Sequence, residues 1–192
     1  MLKYKNLYLK ISSLFQYPDE GFRSHVEELW LEVQRQFPEE VESVRRFRNF
    51  VNETSLTEIQ EYYTRTFDIN PIATLDISYH IFGDTYKRGQ FLANLRAEQM
   101  KLGITIRQEL PDHLPEILHY LVKVKDSELQ YSLANLILLP ALSEIQKALD
   151  KSLNVYAAMV AFLKKLLMED FQITKIQPTY MSKEKLTTLE GE

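Results

Sequence analysis

Apolar residues recur along this chain at three- and four-residue intervals almost without interruption. Leu7, Ile11, Leu14 and Phe15 make one stripe, closed by Tyr17-Pro18-Asp19. Phe22, Val26, Leu29, Trp30 and Val33 make a second, closed by Phe37-Pro38, and Val41, Val44, Phe47 and Val51 make a third. On a helix such positions share one face, and that face has to be buried. Start signals agree with the stripes. Ser55-Leu56-Thr57-Glu58 is a capping box opening a helix through Ile59, Tyr62 and Tyr63, and Ser127-Glu128-Leu129-Gln130 is read the same way for a helix running to Pro140. Asp84 is expected to cap a helix from Thr85 to Leu102, with Gly103 where a left-handed C-terminal residue is wanted. Pro140 predicts a kink or division of the long apolar segment around it. A last helix, 155–171, carries Val155, Met159, Phe162 and Leu166 on one face. Residues 69–81 mix β-branched residues with Pro71 and are the one place where strand competes; they are predicted as a loop and a short helix. The expected architecture is all-α, a single-domain bundle of eight to ten helices over residues 1–171, followed by a polar tail over 172–192.

Composition narrows the function. With 45% apolar and 26% charged residues the chain belongs with folded globular proteins, and 5 Gly with 7 Pro are few for a turn-rich β fold. Twenty-seven acidic against 23 basic side chains, a net charge of -4, leave no basic footprint for nucleic acid. The absence of cysteine removes disulfides, thiolate catalysis and iron–sulfur ligation, and suits a reducing compartment. The first eight residues alternate charged with apolar side chains, unlike a secretory signal. The greasiest run, Leu133 to Leu142, is interrupted by Asn135 and Pro140 and is half the roughly 20 residues a membrane helix needs. The expectation is a cytoplasmic protein without a membrane span.

Motifs for chemistry are sparse. No glycine-rich phosphate loop, GxSxG elbow or HExxH pair occurs. Glu116 and His119 match the Glu-x-x-His spacing of di-iron helical bundles, which need a second such pair and two more carboxylates. No second copy is found, so no metal is expected, and a helical metal-binding enzyme built on Glu116 and His119 stays an alternative reading. Arg45-Arg46-Phe47-Arg48 follows Glu39, Glu40 and Glu42 and reads as a mixed solvated face. The Leu133–Leu142 stripe offers a further alternative, a regulatory bundle that associates with itself.

Three segments are more specific: Tyr63-Thr64-Arg65-Thr66-Phe67-Asp68; Ser78-Tyr79-His80-Ile81-Phe82-Gly83-Asp84-Thr85-Tyr86-Lys87-Arg88-Gly89; and Glu109-Leu110-Pro111-Asp112-His113-Leu114-Pro115, running into Glu116-Ile117-Leu118-His119-Tyr120-Leu121. In this order they resemble the nitrate reductase delta-subunit (NarJ) branch of the TorD-like redox-enzyme maturation chaperones. Ser13-Leu14-Phe15-Gln16-Tyr17-Pro18-Asp19-Glu20 resembles the family's opening helix and turn, and Leu139-Pro140-Ala141-Leu142-Ser143 a later helix; the likeness covers residues 7 to 170. One departure is Tyr86, where the family commonly has Arg. The resemblance implies a TorD-like all-α domain that binds the N-terminal, twin-arginine-like segment of a molybdoenzyme catalytic subunit, such as nitrate reductase. It implies that the subunit is held in the cytoplasm until molybdenum cofactor insertion, with no catalytic residue and no resident cofactor in the chaperone.

The residues fit that role on their own chemistry. A cationic, then apolar leader calls for an apolar groove with acid at one end. Asp68, Asp84, Glu109 and Asp112 are candidates for the acid. Tyr63, Phe67, Tyr79, Phe82, Leu114 and Tyr120 are candidates for the wall, with His80, Arg88 and His113 among them. Each has a structural rival: Asp84 as a helix cap, Arg88 as its ion-pair partner one turn away, the aromatics as core, and 110–115 as a stiff connector. The chain is expected to be monomeric, with a domain-swapped dimer as the other state open to a helical chain.

Overall fold

The fold follows from burying those stripes against one another. In the computed structural model, which describes residues 2–105 and 109–178, ten α-helical segments are present among the described residues. They are α1 (Lys5–Leu14), α2 (Phe22–Gln36), α3 (Val41–Glu53), α4 (Leu56–Phe67), α5 (Tyr79–Phe82), α6 (Tyr86–Lys101), α7 (Leu114–Lys123), α8 (Ser127–Ser132), α9 (Leu139–Lys151) and α10 (Tyr156–Asp170). α1 packs against α2, α7 and α10; α10 also packs on α3 and α9, and α5 sits on α9. The all-α bundle expected from periodicity is the structure found.

At the centre of the bundle lies a ring cluster. Tyr156 is fully buried, and the rings of Phe15, Phe47, Phe67 and Tyr63 stand 4.9 to 6.2 Å from its own. Edge-on and tilted packing of this kind adds to the burial of large apolar area. It also ties α1, α3, α4 and α10 to one point. Helix ends are closed by long-range contacts. The Arg23 guanidinium donates to the carbonyls of Val51 at 2.7 Å and Thr54 at 2.5 Å, satisfying the end of α3. The Asp170 carboxylate accepts the backbone N–H of Lys3 at 2.8 Å, fastening the start of α1 to the end of α10.

Several local expectations are met and some are corrected. Ser55 and Glu58 form the capping box, each side chain accepting the other's backbone N–H. Gly103 has φ +65, and the Ile104 N–H reaches back to the Gln99 carbonyl at 3.0 Å, closing α6 as only a residue without a β-carbon does freely. Asp84, however, does not cap α6: Thr85 holds the cap position and no side chain bonds there. Ser127 is not a cap either. Asp126 is, accepting from the N–H groups of Glu128 and Leu129. Pro140 is accommodated by a change of helix type. A π-helical stretch, Leu133–Leu138, runs straight into α9, and the Leu139 N–H reaches five residues back to the Ala134 carbonyl. The widened turn lies just before the proline, which has no N–H to give and would crowd the carbonyl four residues behind it. Within this stripe Leu133, Leu138, Leu139 and Leu142 are buried in the core, while Leu136 stands 54% exposed.

Within the stretch expected as a polar tail from 172, Ile173 is buried and Ile176 packs on the core. Residues 179–192 of that tail lie outside the described residues. Two arginines of the basic run are ion-paired, Arg45 to Glu42 and Arg48 to Glu27 at 2.8 Å, and Arg46 lies on the Leu153 carbonyl. Among the described residues, no helix is long and apolar enough to cross a membrane.

The capping box gives a simple stability test. Ser55→Ala removes the bond to the Glu58 N–H, and is expected to cost about 1 kcal/mol and a melting shift of about 2–4 °C for a protein of this size. Calorimetric or circular-dichroism melting checks it.

Candidate functional site

The strand tendency noted for residues 69–81 emerges as one antiparallel bridge, Asp76 to His113. Around it the Ile77 N–H donates to the Asp112 carbonyl at 3.2 Å and the Leu114 N–H to the Leu75 carbonyl at 2.9 Å. Asp112 itself is fully buried. One of its carboxylate oxygens accepts both the backbone N–H of Ser78 at 2.8 Å and its hydroxyl at 2.6 Å. A buried carboxylate is tolerable only when hydrogen-bonded in this way. Asp112 therefore clamps the segment before α7 to the start of α5, and it is not an accessible acid at a groove.

That clamp brings three parts of the chain around a hollow of about 580 Å³. Gln16 and Tyr17 come from the turn after α1, Tyr63 and Asp68 from the end of α4, and Glu109, His113, Pro115 and Glu116 from the approach to α7 and its first turn. Tyr63 is buried to 3% exposure, and its hydroxyl donates to the Phe15 carbonyl at 2.8 Å. Its ring stands edge-on to the half-open Tyr17 at 5.7 Å. The Gln60 amide donates to the Pro18 carbonyl at 2.8 Å, so α4 holds this turn at two points.

The electrostatics of the hollow are acidic. Asp68, Glu109 and Glu116 supply three carboxylates, and His113 Nδ1 lies 3.9 Å from Glu109 and 3.7 Å from Asp76. Partial burial pushes the Asp68 carboxyl above the ordinary aspartate value, and the negative charge of Glu109 pushes the same way, against the pull of His113. Burial raises the Tyr63 phenol, and Asp68 and Glu109 raise it further. Asp76 lies on the other side of His113. Burial raises its carboxyl, but His113 and Arg88 outweigh burial and hold it below the ordinary value. Arg88 donates to Asp76 at 3.2 Å and lies over the Tyr79 ring at 5.6 Å; its partner is Asp76, and not Asp84 as the sequence suggested.

The structure thus gathers Tyr63, Asp68, Glu109 and His113, with Arg88 and Tyr79 behind them. The others fall elsewhere. Phe67, Leu114 and Tyr120 are core residues, at 4%, 0% and 2% exposure. Asp84 is exposed and lines no part of the hollow. His80 is a structural residue: its Nε2–H donates to the Thr74 carbonyl at 2.8 Å, and burial lowers its basicity, keeping it neutral at pH 7. Gln16, Tyr17 and Glu116 were missed as parts of a site. The first two read only as a helix-ending turn, and Glu116 only as half of a metal motif. His119 Nε2 meets the Ser12 hydroxyl at 3.2 Å, and no group of three or more His, Cys, Asp or Glu is placed to share a metal ion among the described residues.

The fold itself has a solved likeness. It is shared with a solved redox-enzyme maturation protein from Archaeoglobus fulgidus, at a TM-score of 0.59 and 20% identity over 86% of this chain and 93% of that one. The chain belongs to the nitrate reductase delta subunit family, whose model matches residues 34–166. It is 28% identical over 160 residues to the nitrate reductase molybdenum cofactor assembly chaperone NarJ of Escherichia coli K12, spanning 81% of this chain and 67% of NarJ. It is 29% identical over 126 residues to the probable assembly chaperone NarW of the same organism, 65% of this chain and 53% of NarW. These relatives are named as chaperones and not as enzymes.

Asp112→Ala separates the clamp from the hollow. Losing two hydrogen bonds to a buried carboxylate and leaving the Ser78 N–H without its acceptor is expected to cost about 2–4 kcal/mol, read as a lowered urea midpoint. Asp84→Ala, at an exposed position, is expected to change stability by less than about 0.5 kcal/mol.

Proposed function

We propose that this chain is an assembly chaperone for a molybdenum-containing oxidoreductase, with nitrate reductase as the leading client. In this reading it acts in the cytoplasm as a monomer, holds the N-terminal segment of the client's catalytic subunit until the molybdenum cofactor is inserted, and performs no chemistry of its own. The observation that carries the reading is the hollow between the α1 turn, the end of α4 and the start of α7. Its carboxylates Asp68, Glu109 and Glu116 face a space walled by Tyr17 and Tyr63. A leader with a basic residue beside apolar ones is complementary to that surface in charge and in wall. Family membership and the names of the relatives support the same reading.

Calorimetric titration with synthetic N-terminal peptides of candidate catalytic subunits tests it. Asp68→Asn with Glu109→Gln is expected to weaken binding about three- to tenfold, as befits two largely solvent-facing charges, with a melting temperature no lower than that of the unaltered chain. Equal affinity in that double variant would remove the acidic hollow from the proposal.

The pH dependence has a definite sign. A bound cation favours the ionised Asp68 carboxylate, whose proton affinity is raised in the free protein by burial and by Glu109. Binding therefore expels a proton, and affinity falls as pH drops from neutral. The fall begins at higher pH than an ordinary aspartate, titrating near ~4, would give. Asp68→Asn flattens the profile.

A further inference from the structure

A second hollow, of about 360 Å³, adjoins the first and shares Gln16 and Glu116 with it. Its remaining walls are Ile104, Thr105, His119 and Lys123, with Gly103 at its margin. Glu116, His119 and Lys123 stand three and four residues apart on α7, so they form one row along a single helix face. The two hollows are thus compartments of one trough whose floor runs along that row. The charges along it change sign. The first compartment holds Asp68, Glu109 and Glu116; the second ends on Lys123, whose exposed side chain makes no ion pair or hydrogen bond among the described residues. Between them His119 is held by Ser12 at 3.2 Å, a polar but undemanding stretch.

Resting on the proposed function above, the geometry points to a bipolar ligand: a peptide with a basic side chain seated on the three carboxylates and an acidic side chain seated on Lys123. The helix supplies the ruler. Glu116 and Lys123 are seven residues apart on α7, about 10 Å along its axis at about 1.5 Å per residue. A ligand in extended form covers that distance with about three residues at about 3.3 Å each, and a helical ligand with about seven. A cationic and apolar character alone is therefore not the whole recognition code. One acidic residue at a fixed separation from the basic one sets the register in the trough and selects among otherwise similar leaders. A segment lacking that acid, or carrying it beside the basic residue, faces Lys123 with nothing to offset it.

Four fluorescent peptides test this by anisotropy titration against the full chain. They share one basic residue in an apolar context and carry Glu three residues away, Glu seven residues away, Glu adjacent to the basic residue, or Ala throughout. The expected result is that one of the two spaced peptides binds about three- to fivefold more tightly than the alanine peptide, the range of a solvent-exposed pair. The adjacent arrangement gains nothing. In K123E the gain disappears and a peptide with Lys in place of the spaced Glu becomes the preferred one. Lys123 is exposed, so K123E is expected to fold with an unchanged melting curve, which is measured alongside. If peptides bind but none of the spaced acids improves affinity, or the improvement survives K123E, the bipolar code is wrong while the chaperone site stands. If no peptide binds the unaltered chain, both fall.

Discussion

Everything at the candidate site depends on one buried carboxylate. Asp112 has been taken wholly out of water, at a cost that only strong hydrogen bonds offset, and it receives them from the Ser78 backbone and hydroxyl. The consequence is mechanical. The residues just ahead of α7 are fixed against the start of α5, the antiparallel bridge between Asp76 and His113 is held in register, and the Gln99 amide secures the same segment through the Pro111 carbonyl at 2.8 Å. Glu109 and His113 are thereby brought to the same hollow as Asp68. The segment ahead of α7 becomes one of its walls.

The charges gathered by that wall are not arranged for stability. Three carboxylates share one hollow, and Asp68 is already harder to ionise because of burial and of Glu109. Repulsion of this kind is a cost that the bundle tolerates because its core is secure: Tyr156 and the rings around it fasten four helices together. Behind the hollow the sign reverses at Arg88, which pairs with Asp76. That second layer orients His113 and leaves the outer carboxylates to face whatever occupies the space. Local conflict supported by a well-packed frame is the usual mark of a functional site.

The helices were legible because their signals are local. Stripes at Leu7–Phe15, Phe22–Val33 and Val41–Val51 and the Ser55 capping box need nothing beyond a few neighbouring residues, and all stand in the structure. The ordered motifs at 63–68, 78–89 and 109–115 were legible too, and the family is the one they resemble. Individual roles inside those motifs were not. Asp68 and Asp112 look equivalent in one dimension, yet one lines a hollow and the other is sealed beneath it, because only the fold brings Ser78 to Asp112. Asp84 seemed a natural cap, but the chain enters α6 through Thr85. Tyr17 and Glu116 are 99 positions apart, and no local pattern announces that the turn after α1 meets the first turn of α7. Arg88 chose Asp76 over its near neighbour for the same reason: tertiary proximity outweighs sequence spacing.

The central claim is that a basic side chain of the client peptide rests on the carboxylates at the α1–α4–α7 hollow. Zero-length carbodiimide coupling between a lysine-bearing client peptide and the chain, followed by peptide mapping, measures this contact directly. Amide links from that lysine to Asp68, Glu109 or Glu116 are the predicted result. Links confined to Asp84 or other carboxylates away from the hollow would contradict it.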